Sequence, residues 1–201
     1  MMNFDAWRHC LRGRLMARLR RTDAAIRAYR DALAAEPANL RAVAALGYLY
    51  AQQQRYDVAE PCLQQAAQLA PGRADLWFNL GYVQDKAGRH AAAVESFEAA
   101  LRLNPKFDRA WYGIGLAHAA LGRHHEAARC FGETTALQPM NGHAWYALGM
   151  AWHHGREPDK VKEVAEHMVR FDPQMTRKLI QDTGRADLAH LVAHLAEWER
   201  R

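Results

Sequence analysis

The chain has 201 residues, 50% of them hydrophobic and 24% charged, a balance that builds a packed core and excludes a disordered or fibrous polymer. No apolar run approaches the roughly 18 residues of a membrane span, and the scattered Cys10, Cys62 and Cys130 form neither a disulfide framework nor a CxxC metal knuckle. The formal charge of +5 is concentrated at one end, where residues 1–30 carry eight arginines against two aspartates.

The opening segment, MMNFDAWRHCLRGRLMARLRR, does not read as a secretory signal, because Arg8, Arg12, Arg14 and Arg18 interrupt any apolar centre. A cytoplasmic location is the expectation. Phe4, Trp7, Leu11 and Leu15 recur at spacings of three and four, which predicts an amphipathic first helix with these residues as its contact face. With arginines on the other faces, the segment is also compatible with an interfacial helix on an anionic surface.

From residue 37 onward a proline returns every 34 residues: Pro37, Pro71, Pro105, Pro139 and Pro173. Gly13, Gly47, Gly81, Gly115 and Gly149 keep the same period. A fixed period of this size marks a stack of one small unit. With the proline as position 32, the repeats are 6–39, 40–73, 74–107, 108–141 and 142–175, without insertions.

Each repeat reads as two helices, A and B. In helix A, position 4 is Val43, Trp77, Trp111 and Trp145, and position 7 is Leu46, Leu80, Ile114 and Leu148. These fall with the glycine at position 8 on one face. Glycine costs a helix about 1 kcal/mol relative to alanine, so its recurrence predicts a neighbouring backbone too close for a Cβ. In helix B, small residues at positions 20 and 27 flank a large one at position 24: Tyr29, Leu63, Phe97 and Phe131. The fifth repeat has Ala165 at position 24 and Met168 at position 27, which reads as an exchange of volume between turns. Gly88 and Gly122 supply stops between A and B, and the proline ends B. Beyond Pro173, Leu179, Ile180, Leu188, Leu191, Val192 and Leu195 are helically spaced around Gly184 and predict a C-terminal cap over residues 176–201.

The pattern Trp77-Leu80-Gly81-Ala93-Phe97-Ala100-Pro105, nearly repeated as Trp111-Ile114-Gly115-Ala127-Phe131-Pro139, resembles the tetratricopeptide repeat. The resemblance spans residues 6–175. It implies an all-α fold: an α-solenoid of helix-turn-helix repeats in a right-handed superhelix over residues 1–175, the first repeat serving as a basic N-terminal cap. It also implies that A helices line a concave groove through positions 2, 5, 9, 12 and 13. Position 2 is Arg41, Asp75, Arg109 and His143; position 5 includes Phe78, Tyr112 and Tyr146; position 9 is Tyr48, Tyr82, Leu116 and Met150; Asp85 stands at position 12. Tyrosine offers contact area at low entropic cost together with a hydroxyl. The expected occupant is a peptide or helix of a partner protein with apolar anchors. Some family members grip a C-terminal carboxylate with a Lys/Asn/Arg clamp; Asn79 and Arg109 fit that pattern, but Ala44, Tyr48 and Gly113 do not.

Eleven histidines raise the question of a metal, but His190 and His194, spaced i, i+4, have no third ligand nearby, and the pairs His124-His125 and His153-His154 are adjacent in sequence. No nucleophile elbow, P-loop or dinucleotide fingerprint is present. The expectation is therefore a non-catalytic scaffold without cofactor or metal, an adaptor or assembly factor that does not bind nucleic acid and is a monomer or end-to-end homo-oligomer. The alternatives are a chaperone for a secreted or membrane-bound protein and a peripheral membrane scaffold attached through residues 3–20. Alanine and arginine dominate the composition, as in chains from GC-rich bacterial genomes.

Overall fold

The computed structural model describes residues 3–193. All regular structure among them is helical: α1 (Phe4–Arg18), α2 (Thr22–Ala35), α3 (Leu40–Gln52), α4 (Tyr56–Leu69), α5 (Ala74–Lys86), α6 (His90–Leu103), α7 (Asp108–Ala120), α8 (His124–Leu137), α9 (Gly142–His154), α10 (Pro158–Met168), α11 (Pro173–Asp182) and a 3-10 helix (Ala186–Val192). The chain divides into two compact bodies, Met1–Pro105 and Lys106–Arg201. Within each body, helices pack in consecutive pairs as antiparallel hairpins, the two-helix repeat of an α-solenoid.

The turns inside the hairpins follow one geometry. Residues 20, 54, 88, 122 and 156, again 34 apart, all have φ between 56° and 78°. At each, two backbone hydrogen bonds close the helix end, as in Gly88 N–H to Asp85 C=O at 2.9 Å and Arg89 N–H to Gln84 C=O at 2.8 Å. Glycine takes this left-handed conformation freely at 88 and 122, whereas Arg20, Gln54 and Arg156 adopt it at a cost. Helix A starts are capped by Asn39 and Asn141, whose side chains accept from the N–H of Ala42 and Ala144.

In the first body, Gly13, Gly47 and Gly81 lie under the large position-24 residue of the paired helix. A Cβ would sit 2.8 Å from the Tyr29 ring, 2.6 Å from Leu63 Cγ and 2.8 Å from the Phe97 ring. The atom nearest each glycine thus belongs to a side chain; at Gly47 a backbone atom, Leu63 N at 3.3 Å, is also among the closest. This corrects the sequence expectation of backbone proximity. Trp77 donates its indole N–H to the Pro71 carbonyl at 3.0 Å, which ties the recurrent tryptophan to the recurrent proline. The polar Gln84 is buried but satisfied: it accepts from Ser96 Oγ at 2.6 Å and donates to Glu60 at 3.1 Å, while Glu60 also pairs with Arg89.

Helix α1 keeps the register of the other A helices. Ala6 and Gly13 are its buried residues, and Cys10, Met16 and Ala17 join the core around Tyr29 and Leu46. The expected contact stripe is instead uncovered, with Phe4 64%, Trp7 40%, Leu11 43% and Leu15 53% exposed. Small residues on the packing face leave room for the Tyr29 ring of α2 over Gly13, and that fit rather than the size of the apolar side chains sets which face is buried.

In the second body, Gly115 faces the Phe131 ring at 2.5 Å, but Gly149 meets Leu179 of α11, at 2.6 Å. Helix α10 ends at Met168, and Pro173 starts α11, with Asp172 as its cap accepting from Met175 N–H at 3.0 Å. The expected exchange between Ala165 and Met168 is thus incomplete: the volume over Gly149 comes from the following helix. Asp172 also occupies the space a Cβ would need at Gly142. Leu179, Ile180, Leu188 and Val192 are buried in one cluster with Val164, Ala165 and Met168. Leu195 and His194 lie outside the described residues.

Candidate functional site

The A-helix face of the first body is built by α1, α3 and α5. Tyr48 and Tyr82 project from it, 57% and 43% exposed, on helices that touch. Gln52 donates to the Tyr48 hydroxyl at 3.0 Å, and the Lys86 ammonium lies 5.7 Å from the Tyr82 ring centre. Phe78 is half-buried and packs at 5.6 Å on Phe97, so it belongs partly to the core. Asp75 is held by Arg73 through bonds of 3.1 and 2.5 Å, which keep its carboxyl below the usual range. Asp85 pairs with His90 at 2.9 Å.

Next to Tyr48, the same face contains two recesses on either side of Tyr29. One, of about 260 Å³, is bounded by Trp7, Cys10, Leu11, Arg14, Tyr29 and Arg41. The other, of about 580 Å³, is bounded chiefly by Arg18, Arg20, Tyr29, Tyr48, Leu49 and Gln52. Burial pushes the Tyr29 phenol up, with Cys10 adding to the shift and the nearby Arg14 guanidinium opposing it. Burial likewise pushes up the Cys10 thiol, which donates weakly to Asn39 Oδ1 at 3.5 Å. Trp7, Cys10, Arg14 and Arg18 were missed as groove candidates because the first repeat lacks the tryptophan-leucine signature. The period alone would have found them, since each stands 34 residues before an α3 face position.

The A-helix face of the second body comes from α7, α9 and α11. Tyr112 is half-buried, packs on Phe131 at 5.3 Å, and has its phenol raised by burial. Leu116 is 38% exposed, His143 is exposed and Met150 is half-buried. Arg109 lies over the Phe107 ring at 5.2 Å. Tyr146 donates to Asp182 at 2.6 Å, with the Lys178 ammonium 4.6 Å from the ring centre. The hydrogen bond to Asp182 is the first cause of the raised Tyr146 phenol. The aromatic residues at position 5 are therefore engaged within their own bodies, and the position-9 residues Tyr48, Tyr82 and Leu116 are the exposed ones.

The fold also gathers histidines that the sequence separates. The His124 and His154 rings lie 5.2 Å apart, and His125 contacts Trp152 at 5.9 Å and Glu157 at 3.4 Å. Among the described residues no three donors are arranged to hold a metal ion, and no helix is long and apolar enough to cross a membrane.

No curated protein sequence matches the chain. Among solved structures, the MamA protein aligns with a TM-score of 0.78 at 21% identity, covering 93% of this chain and 98% of that one. A MamA fragment from Desulfovibrio magneticus RS-1 gives 0.76 at 19% identity, covering 90% and 98%. YrrB, described as a TPR protein with an unusual peptide-binding site, gives 0.75 at 21%, covering 84% and 88%. A family model described as tetratricopeptide repeat matches residues 10–74, 44–106, 78–128 and 112–166. With glycine, aromatic residue and proline each explained by the hairpin they build, the chain belongs to the tetratricopeptide repeat family.

Proposed function

We propose that this protein holds a segment of a partner protein against its A-helix faces, with Tyr48 and Tyr82 as the principal anchors. Family membership supports the general role, a scaffold for protein–protein interaction. The observation that carries the finer reading is the exposure of two tyrosines on touching helices whose other large apolar residues are buried or half-buried. Exposed aromatic rings of this kind dominate binding energy where they become buried on association. That YrrB is described as having a peptide-binding site is consistent with a peptide partner here. On the second body Leu116 offers an exposed apolar side chain, with half-buried Met150 and exposed His143 on α9. The test is affinity capture from native extract with mass spectrometry, using Tyr48→Ala/Tyr82→Ala as the control. A stoichiometric partner lost in the double variant is expected; capture unaffected by it refutes the reading.

A second reading concerns α1. Its uncovered Phe4, Leu11 and Leu15, flanked by Arg8 and Arg12, suit peripheral attachment to an anionic bilayer. Co-sedimentation with phosphatidylglycerol vesicles, lost in Leu11→Asp/Leu15→Asp, is the expected result, and no sedimentation of the native chain removes this reading.

A further inference from the structure

We propose that the N-terminal end of the first body's A-helix face selects an acidic peptide, read by Arg14, Arg18 and Arg41 around Tyr29. The proposal rests on the groove reading above and adds the charge of the ligand and the residues that sense it.

Four arginines from three elements converge here: Arg14 and Arg18 from α1, Arg20 from the turn after it, and Arg41 from α3. The ion pairs described in this body are Arg8–Asp5, Arg73–Asp75 and Arg89–Glu60, beside the contacts His9–Asp31 and His90–Asp85, and none engages the four. Glu36, which acts on the Cys10 thiol together with Arg41, accepts from the Asn39 amide at 2.7 Å. Positive charge therefore predominates at this end of the face: four arginines line the two recesses and no carboxylate does. Elsewhere in the same body, acids on the A-helix face already have partners, as Asp75 has Arg73 and Asp85 has His90.

The arrangement fits a peptide. The guanidinium groups surround recesses between α1, α2 and α3, and Tyr29, 7% exposed, forms the wall shared by both. A flat bilayer meets the stripe of α1, including Trp7 and Leu11 at the rim of the smaller recess, but does not enter the recesses. A chain carrying aspartate or glutamate does, and the planar guanidinium matches a carboxylate in bidentate fashion. Trp7 and Leu11 border the smaller recess and Tyr48 the larger, so each arginine pair has an apolar neighbour. The ligand is thus a segment that alternates acidic with apolar or aromatic residues. Its charge complements the net positive first 30 residues.

The test is selection of a phage-displayed random dodecapeptide library on the full chain, followed by affinity measurement of synthesised winners. The expected winners carry aspartate or glutamate beside apolar residues. Arg14→Ala/Arg41→Ala should weaken them about ten-fold or more, and added salt should weaken them further. Arg8→Ala/Arg12→Ala, on the far side of α1, should leave affinity unchanged. These side chains are exposed, and far-UV circular dichroism verifies that the variants fold. Neutral or basic winners that still depend on Tyr48 and Tyr82 would overturn the acidic preference and leave the groove reading standing. No winner of any charge overturns both. Phosphatidylglycerol vesicles bound through Arg14 and Arg41, without acidic winners, replace the peptide by a membrane.

Discussion

The same substitution at two glycines of one helix hairpin should have opposite effects. Gly115 of α7 lies under Phe131, and an added Cβ would sit 2.5 Å from Cε1 and 2.7 Å from Cδ1. That is about an ångström short of van der Waals contact. The ring cannot swing away, since Phe131 is 2% exposed and Tyr112 packs on it at 5.3 Å. Such overpacking costs roughly 1–3 kcal/mol, against a gain of about 1 kcal/mol from replacing glycine by alanine in a helix. Gly115→Ala should therefore destabilise by up to about 2 kcal/mol. Gly132, next to that same phenylalanine in α8, has nothing within 4 Å of its missing Cβ and no positive φ. Gly132→Ala gains helix propensity alone and should stabilise by about 0.5–1 kcal/mol. For a chain of this length the thermal midpoint moves about 2–4 °C per kcal/mol. Thermal scans followed by circular dichroism, with urea titrations alongside, would read both. If the two variants shift the midpoint in the same direction, the glycine column is not explained by the ring over it.

Other consequences follow from the hairpin turns, the last helix and the charged pairs. Gln54→Gly relieves a side chain held at φ 59° and should stabilise by about 0.5–1 kcal/mol, whereas Gly88→Ala, at φ 78°, should cost about 1 kcal/mol in the same urea assay. Leu179→Ala removes a fully buried side chain that fills the space over Gly149; it should cost about 2–5 kcal/mol and speed hydrogen exchange in α11 more than in α2. Asp75 and Asp182 have folded-state carboxyls below their ordinary values, so their contribution is present above the unfolded carboxylate range, near pH 4, and is lost as pH falls through the folded values. Urea midpoints should hold from neutral pH to about pH 5 and fall below it, with a shallower fall in Asp75→Asn/Asp182→Asn. Tyr146 runs the other way: its phenol is raised, so its contribution is present below about pH 10 and lost as pH rises through the folded value. Phenolate absorbance should show late-titrating phenols, Tyr29 and Tyr112 among them, with one fewer in Tyr146→Phe.

The candidate site was less legible than the fold. Tyr48 and Tyr82 stand exposed at a position that the tetratricopeptide resemblance implies for the groove. Tyr112 and Tyr146 have the same spacing, yet one lies against Phe131 and the other reaches Asp182. Which rungs of a periodic ladder are occupied depends on what the neighbouring helix supplies, and Asp182 is 36 residues away. The basic recesses were hidden for a related reason. Helix α1 has larger apolar residues on its outer stripe than on its packing face, so hydrophobic periodicity selected the wrong face.

The sequence by itself determined the two-helix repeat, its length and the hairpin order, because those rest on local chemistry: glycine or a tolerated αL residue at each turn, proline after each B helix, and small residues at close contacts. Tertiary structure decided which side chain fills each glycine's space. It placed Leu179 of α11, not a residue of α10, over Gly149, and it left Phe4, Trp7, Leu11 and Leu15 uncovered while Gly13 took Tyr29. Periodicity reports which residues share a face, but only the approach of a second helix determines which face is buried.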